Sequence, residues 1–173
     1  MDAPKVTLRK MTPSEYEAAT EHREAETARE LGKFMPAELA RERAHRGTAQ
    51  FLPDGCDTAG HHLVVAENAA GQVVGDAWIG PDPRQAAATT DSAWLYDINV
   101  LALFRRHGYG SAILAAVEEL VAREGMVSLH LNVFGGNAAA IALYRRNGYE
   151  VSSMYMSKSV QPSSRDHGAS TGP

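Results

Sequence analysis

A single cysteine, Cys56, stands in the 173 residues of this chain. No disulfide can form within it, and a reducing compartment such as the cytoplasm suits it. Positive charge is not in excess: 17 Lys and Arg against 21 Asp and Glu give a formal charge of −4. Without a strongly basic field, nucleic acid is not an expected partner. No apolar run is long enough to span a bilayer, and the opening MDAPKVTLRK lacks the apolar core of a signal peptide. A membrane is therefore not expected as a partner, and cytoplasmic location is. No metal is expected either. His61 and His62 are adjacent, so they point to opposite sides of a strand, and no cysteine or carboxylate follows them at ligand spacing. Two phosphate motifs are also missing. No Walker string with Gly-Lys-Ser/Thr exists, and a dinucleotide fingerprint would need glycine where Ile113 stands.

What the chain does have is a strand, a basic glycine turn and an amphipathic helix in succession. The strand is 93–100, with Trp94, Tyr96, Ile98 and Val100. The turn is Arg105-Arg106-His107-Gly108-Tyr109-Gly110. The helix runs to about Arg123, with Ile113, Leu114, Val117, Leu120 and Val121 at helical spacing and Gly125 as its stop. The first N–H groups of such a helix lack partners and carry the positive end of its dipole. Glycines at 108 and 110 keep Cβ atoms away from those N–H groups, and two arginines add forked donors for phosphate oxygens. A pyrophosphate or similar anion is the expected ligand.

The remaining elements follow from local signals. Lys5–Arg9 reads as a short strand. Thr12-Pro13-Ser14-Glu15 reads as a capped helix start, with Glu15 completing a capping box, and the helix runs to about Leu31. Its Glu21, Glu24, Glu26 and Glu30, interspersed with Arg23 and Arg29, read as a solvated face with pairs such as Glu26 with Arg29, with an acidic cradle for a cationic substrate as the open alternative. A second helix is expected over Pro36–Gly47. Strands are expected at His62–Glu67 and Gln72–Ile79, joined by Asn68-Ala69-Ala70-Gly71. A fifth strand is expected at Met126–Val133, a helix at Ala138–Arg146 capped by Asn137, and a last strand at Tyr149–Lys158. With 44% hydrophobic residues the chain can bury a substantial core. One domain over 1–158 is expected, followed by a disordered tail over 159–173, rich in Ser, Pro and Gly. Periodicity alone gives an α/β or α+β fold.

Val100 followed by Arg105-x-x-Gly108-x-Gly110 resembles the acetyl-CoA-binding motif of the GCN5-related N-acetyltransferases, the GNAT superfamily. Downstream, Leu131-Asn132-Val133, then Asn137-x-x-Ala140-x-x-Leu143-Tyr144, then Gly148-Tyr149, resemble the later motif of that family. The two matches cover about 93–158. One departure is Leu101-Ala102-Leu103-Phe104, where members often carry a polar residue and a proline. The resemblance implies a mixed, mostly antiparallel sheet with helices on both faces, in the order β-α-α-β-β-β-α-β-α-β. It also implies that the fourth and fifth strands part at their ends to admit the pantetheine arm.

The activity implied is N-acetyl transfer from acetyl-CoA to an amine of a small molecule or protein. A non-catalytic acyl-CoA-binding module of the same fold is the alternative. By resemblance, the N–H of Val100 meets the thioester oxygen, and Ile98, Asn99 and Val100 pair with the pantetheine amides. Arg105, Arg106, His107, Gly108, Tyr109, Gly110 and Ser111 surround the pyrophosphate, and Asn137 bonds the cofactor. Asn137 is equally a helix cap. Tyr144 is the implied proton donor to the sulfur, since a phenol with a pKa of about 10 keeps its proton at pH 7. Asp97 is the first candidate for the base, if burial raises its pKa; Glu67 and Asp76 are others. The resemblance leaves the acceptor unnamed and a homodimer open.

Overall fold

The central strands are apolar on both sides, and the fold covers both. In the computed structural model, which describes residues 4–85, 91–158 and 160, the elements run β1 (Thr7–Lys10), α1 (Pro13–Leu31), α2 (Ala37–Phe51), β2 (His62–Glu67), β3 (Val73–Pro81), β4 (Ser92–Val100), α3 (Tyr109–Arg123), β5 (Ser128–Leu131) and α4 (Ala138–Arg146). The sheet order is β1-β2-β3-β4-β5, antiparallel throughout except for the parallel pair of β4 and β5. The mixed-sheet class expected from sequence stands.

Strand alternation sorts the side chains. Val64 and Ala66 of β2, and Val74, Ala77 and Ile79 of β3, pack with Ile113, Leu114, Val117 and Val121 of α3. Leu63, Val65 and Trp78 turn to the opposite face, where Met11, Tyr16, Ala19, Phe51 and Leu52 meet them. The start of α1 is secured as the sequence predicts. Thr12 Oγ1 accepts from Glu15 N–H, and Glu15 Oε2 accepts from Thr12 N–H at 2.8 Å. Helix α2 runs a turn beyond its expected end at Gly47, because Phe51 packs edge-on against Trp78 and at a tilt against Tyr96, which draws the chain onto the sheet. His61 and His62 part as expected: His61 Nδ1 accepts from Trp78 Nε1 at 2.9 Å, while His62 Nε2 lies 2.8 Å from Glu124.

One expected element is absent. Residues 149–158 form no strand, and those at 150–158 are exposed. Tyr149 is drawn toward α3, its hydroxyl donating to Glu118 Oε1 at 3.0 Å. From there the segment has no backbone partner among the described residues, and strand composition alone makes no ladder. The described order is therefore β-α-α-β-β-β-α-β-α. The expected tail lies outside the described residues except for Val160, as do 86–90 in the loop before β4.

Candidate active site

Two irregularities in β4 create the site. The register shifts between Trp78 and Ile79: Trp78 faces Asp97, but Ile79 faces Leu95. Tyr96 is the extra residue of a bulge, which reverses the order of sides in the rest of the strand. Leu95 packs toward α3, whereas Tyr96 and Asp97 both turn toward α1 and α2. The parallel pairing with β5 ends at the same place, at Leu95 opposite Leu131. Beyond it β4 continues to Val100 with no strand on that side among the described residues. Leu101 N–H donates to Val74 O across to β3. Backbone groups alternate along a strand, so the N–H groups of Val100 and Ile98 turn to the open side.

Immediately after β4 the chain makes the basic turn. Arg105 Nε donates to Val100 O at 2.8 Å, folding the guanidinium back over the strand end. Arg106 sits in the left-handed region, at φ 66°, a conformation that costs a non-glycine residue on the order of 1–3 kcal/mol. Gly108 follows at φ 85° as the residue before α3. No side chain caps this helix start, so its first N–H groups remain available to an anion. Arg105, Arg106 and His107 are exposed around it. Gly110 also serves the packing of the helices: a Cβ there would stand 3.1 Å from Leu143. Its bareness lets α4 approach α3. Ser111 joins the same contact, its Oγ accepting from Asn147 Nδ2 at 3.0 Å. Tyr109 packs edge-on against Phe104.

This α3–α4 contact sets Tyr144 near Asp97. The Tyr144 phenol is pushed up to about 12, first by burial and then by the negative charge of Asp97. Asp97 itself is raised to about 6. Protein crowds its carboxyl, though the residue keeps some contact with solvent. Arg23 and His22 of α1 oppose the shift, and Asp76 adds to it. Asp76 is buried and also raised, by burial first, while Asn99 Nδ2 donates to its Oδ2 at 3.0 Å. The side chain of Asn99 is thus turned to Asp76, and the side chains of Ile98 and Val100 join the apolar cluster under α3. Asn137 is exposed, and its Oδ1 accepts from Ala140 N–H at 3.1 Å, the helix-capping role. Glu67 is tied to Arg9 at 2.7 Å and takes no part in this cluster.

Arg23 is the residue that sequence reasoning missed. It is 7% exposed, its guanidinium lies 4.6 Å from the Trp78 ring centre, and Nη2 donates to Thr20 Oγ1 at 3.0 Å. Its Nε has no partner among the described residues. The signal was present: Arg23 follows Tyr16 by seven and Ala19 by four, so it stands on the inward face of α1. The glutamates of that helix behave as expected, Glu26 pairing with Arg29, Glu30 with Lys33 and Glu24 with His45. Among the described residues no group of three or more His, Cys, Asp or Glu is placed to hold a metal, and no helix is long and apolar enough to cross a membrane.

Comparison with known proteins gives a consistent answer. The profile of the "Acetyltransferase (GNAT) family" matches residues 19–149. A Bacillus subtilis (strain 168) protein named "Uncharacterized N-acetyltransferase YycN" is 29% identical over 136 residues, covering 79% of this chain and 85% of its own. The crystal structure of YycN from Bacillus subtilis superposes with a TM-score of 0.82 at 27% identity, covering 91% of this chain and all (100%) of that one. The fold is also that of the PaiA N-acetyltransferase from Thermoplasma acidophilum in complex with coenzyme A, with a TM-score of 0.61 at 14% identity, covering 85% of this chain and 91% of that one.

Proposed function

Since the chain belongs to the acetyltransferase (GNAT) family and is an acetyl-CoA-dependent acetyltransferase, we propose that it acetylates a primary amine of a small molecule or protein by direct attack within a ternary complex. The observation that carries this reading is one juxtaposition. The uncapped start of α3 follows the stretch of β4 that β5 leaves unpaired, and Asp97 lies close enough to Tyr144 to hold its phenol protonated.

The donor set suits coenzyme A. The N–H groups over Arg105–Ser111, with the arginines, match a pyrophosphate. The Val100 N–H and the Ile98 carbonyl, which β3 does not pair, match the amides of a pantetheine arm. Asn137 keeps its Nδ2 for the cofactor while Oδ1 caps α4. When bound, acetyl-CoA supplies an acetyl group activated as a thioester. The chain's own groups do the rest. Asp97, ionised above about pH 6, takes the proton that an ammonium must lose before its nitrogen can attack. The Val100 N–H is a fixed donor toward the open side, where oxyanion charge needs one. Tyr144, kept protonated by burial, holds a phenolic proton for the departing sulfur. Holding both reactants in the gap between β4 and β5 supplies proximity.

The test is thiol release from acetyl-CoA across a panel of amines. The parent chain should turn over at least one amine, and Tyr144→Phe should slow it while coenzyme A still raises the melting midpoint. Coenzyme binding without release on any amine would overturn the catalytic assignment.

A further inference from the structure

Three charged side chains are buried among the described residues: Arg23, Asp76 and Asp82. Asp82 is answered by Arg84 at 2.7 Å. Arg23 and Asp76 lie on the face under α1 and α2, and the proposed chemistry does not use Arg23. A guanidinium taken out of water costs free energy unless nearby charge compensates it.

The sheet shows where that charge stands. Trp78 of β3 is directly opposite Asp97 of β4, and Asp76 is opposite Asn99, so the four side chains share one face. Arg23 reaches them from α1 and lies over the Trp78 ring, 4.6 Å from its centre. Trp78 is a firm shelf. Its Nε1 donates to His61 Nδ1 at 2.9 Å, and its ring stacks on that of Tyr96 at 4.4 Å. Arg23 Nη2 donates to Thr20 Oγ1, and Nε has no partner among the described residues. Neither contact answers the positive charge. The carboxylates of Asp76 and Asp97 do.

Few other groups face this cluster. From α1 come Tyr16, His22 and Glu24, from β3 Asp76, and from α4 Tyr144. Burial draws the Arg23 guanidinium down from its ordinary range, and Asp97 leads the groups that oppose this, ahead of Tyr16, Asp76 and Glu24. Burial raises Asp97, and Arg23 in turn leads the groups that oppose that rise.

We propose that Arg23 is a positioning residue for the acetyl transfer: its guanidinium, fixed on Trp78, is the counter-charge against which Asp97 ionises. Without it two carboxylates would share one face with no buried cation, and Asp97 would hold its proton to higher pH. The catalytic consequence rests on the reading of Asp97 as the base; the pairing itself does not.

Nuclear magnetic resonance of the carboxyl and guanidinium groups of the full chain, titrated across about pH 4–8, tests the pairing without any turnover. The Arg23 Nε signal should show a step at the midpoint of Asp97. Asp97→Asn should remove that step, and Asp76→Asn should keep it. In Arg23→Met the Asp97 midpoint should rise by about one pH unit or more, and the pH at which kcat/KM rises should move with it. Arg23→Lys should restore most of both, with KM for acetyl-CoA unchanged throughout. An Arg23 signal blind to the titration of Asp97 would overturn the proposal, even were both Arg23 variants to misfold. So would an unmoved Asp97 midpoint in a folded Arg23→Met chain. A midpoint that moves while the kcat/KM profile stays would uphold the pairing but overturn Asp97 as the base, and with it any part for Arg23 in catalysis.

Discussion

The two faces of the sheet are built from the same strands and do different work. Under α3, Val64, Ala66, Val74, Ala77, Ile79, Ile113, Leu114 and Val117 form a dry cluster without a charged member. Under α1 and α2, the face that holds Trp78 and Leu63 also holds Arg23, Asp76 and Asp97. A buried apolar face stabilises. A buried charged face costs free energy and is retained where a group must titrate near neutrality. The helix starts repeat the contrast. That of α1 is closed by Thr12 and Glu15, while that of α3 is left bare behind Gly108. The difference separates the face that stabilises the fold from the face that carries the proposed chemistry.

The sharpest way to break this contrast is Asp97→Asn. Losing the proposed base should lower kcat/KM by about 10²–10⁴-fold, while the fold should become more stable above neutrality. The sign follows from linkage. Asp97 holds its proton more tightly when folded, with a pKa of about 6 against about 4 unfolded. Stability is therefore complete below about pH 4 and declines as pH rises through about 6, by at most about 3 kcal/mol. Asparagine removes that decline, so thermal melts at pH 5 and pH 8 should differ less than in the parent. In the parent, kcat/KM should rise with pH through about 6. Leu114→Ala, on the dry face, should do the reverse. About 2–5 kcal/mol of unfolding free energy should be lost in denaturant titration, with kcat/KM of the remaining folded protein near the parent value. Tyr144→Phe should reduce turnover by about 10²-fold with little change in coenzyme binding, read by single-turnover kinetics beside a thermal-shift titration. Thr12→Ala, at the closed helix start, should cost about 1 kcal/mol and leave catalysis unchanged.

Much of this arrangement was legible in the residues because it is local. The capping box at Thr12, the turn at Asn68–Gly71, the glycine turn before α3 and the cap at Asn137 each depend on neighbours within a few positions, and each forms where expected. What escaped depends on partners distant in sequence. The bulge at Tyr96 exists only against β3, and it alone decides that Asp97 turns toward α1. Arg23 reads as one more charge on a charged helix until Trp78 lies beneath it. The stretch at 149–158 has strand composition, but a strand is made by the chain beside it. The closeness of Gly110 to Leu143 of α4, likewise, shows only once the two helices are packed together.

The most direct test of the central claim is amide hydrogen exchange of the full chain with and without coenzyme A. Bare backbone at the start of α3 and at the open-side N–H of β4 should become protected over Arg105–Ser111 and at Val100, while the already capped start of α1 at Thr12–Glu15 stays unchanged. Saturating coenzyme that leaves both stretches unprotected, or that protects a different surface, would contradict the account.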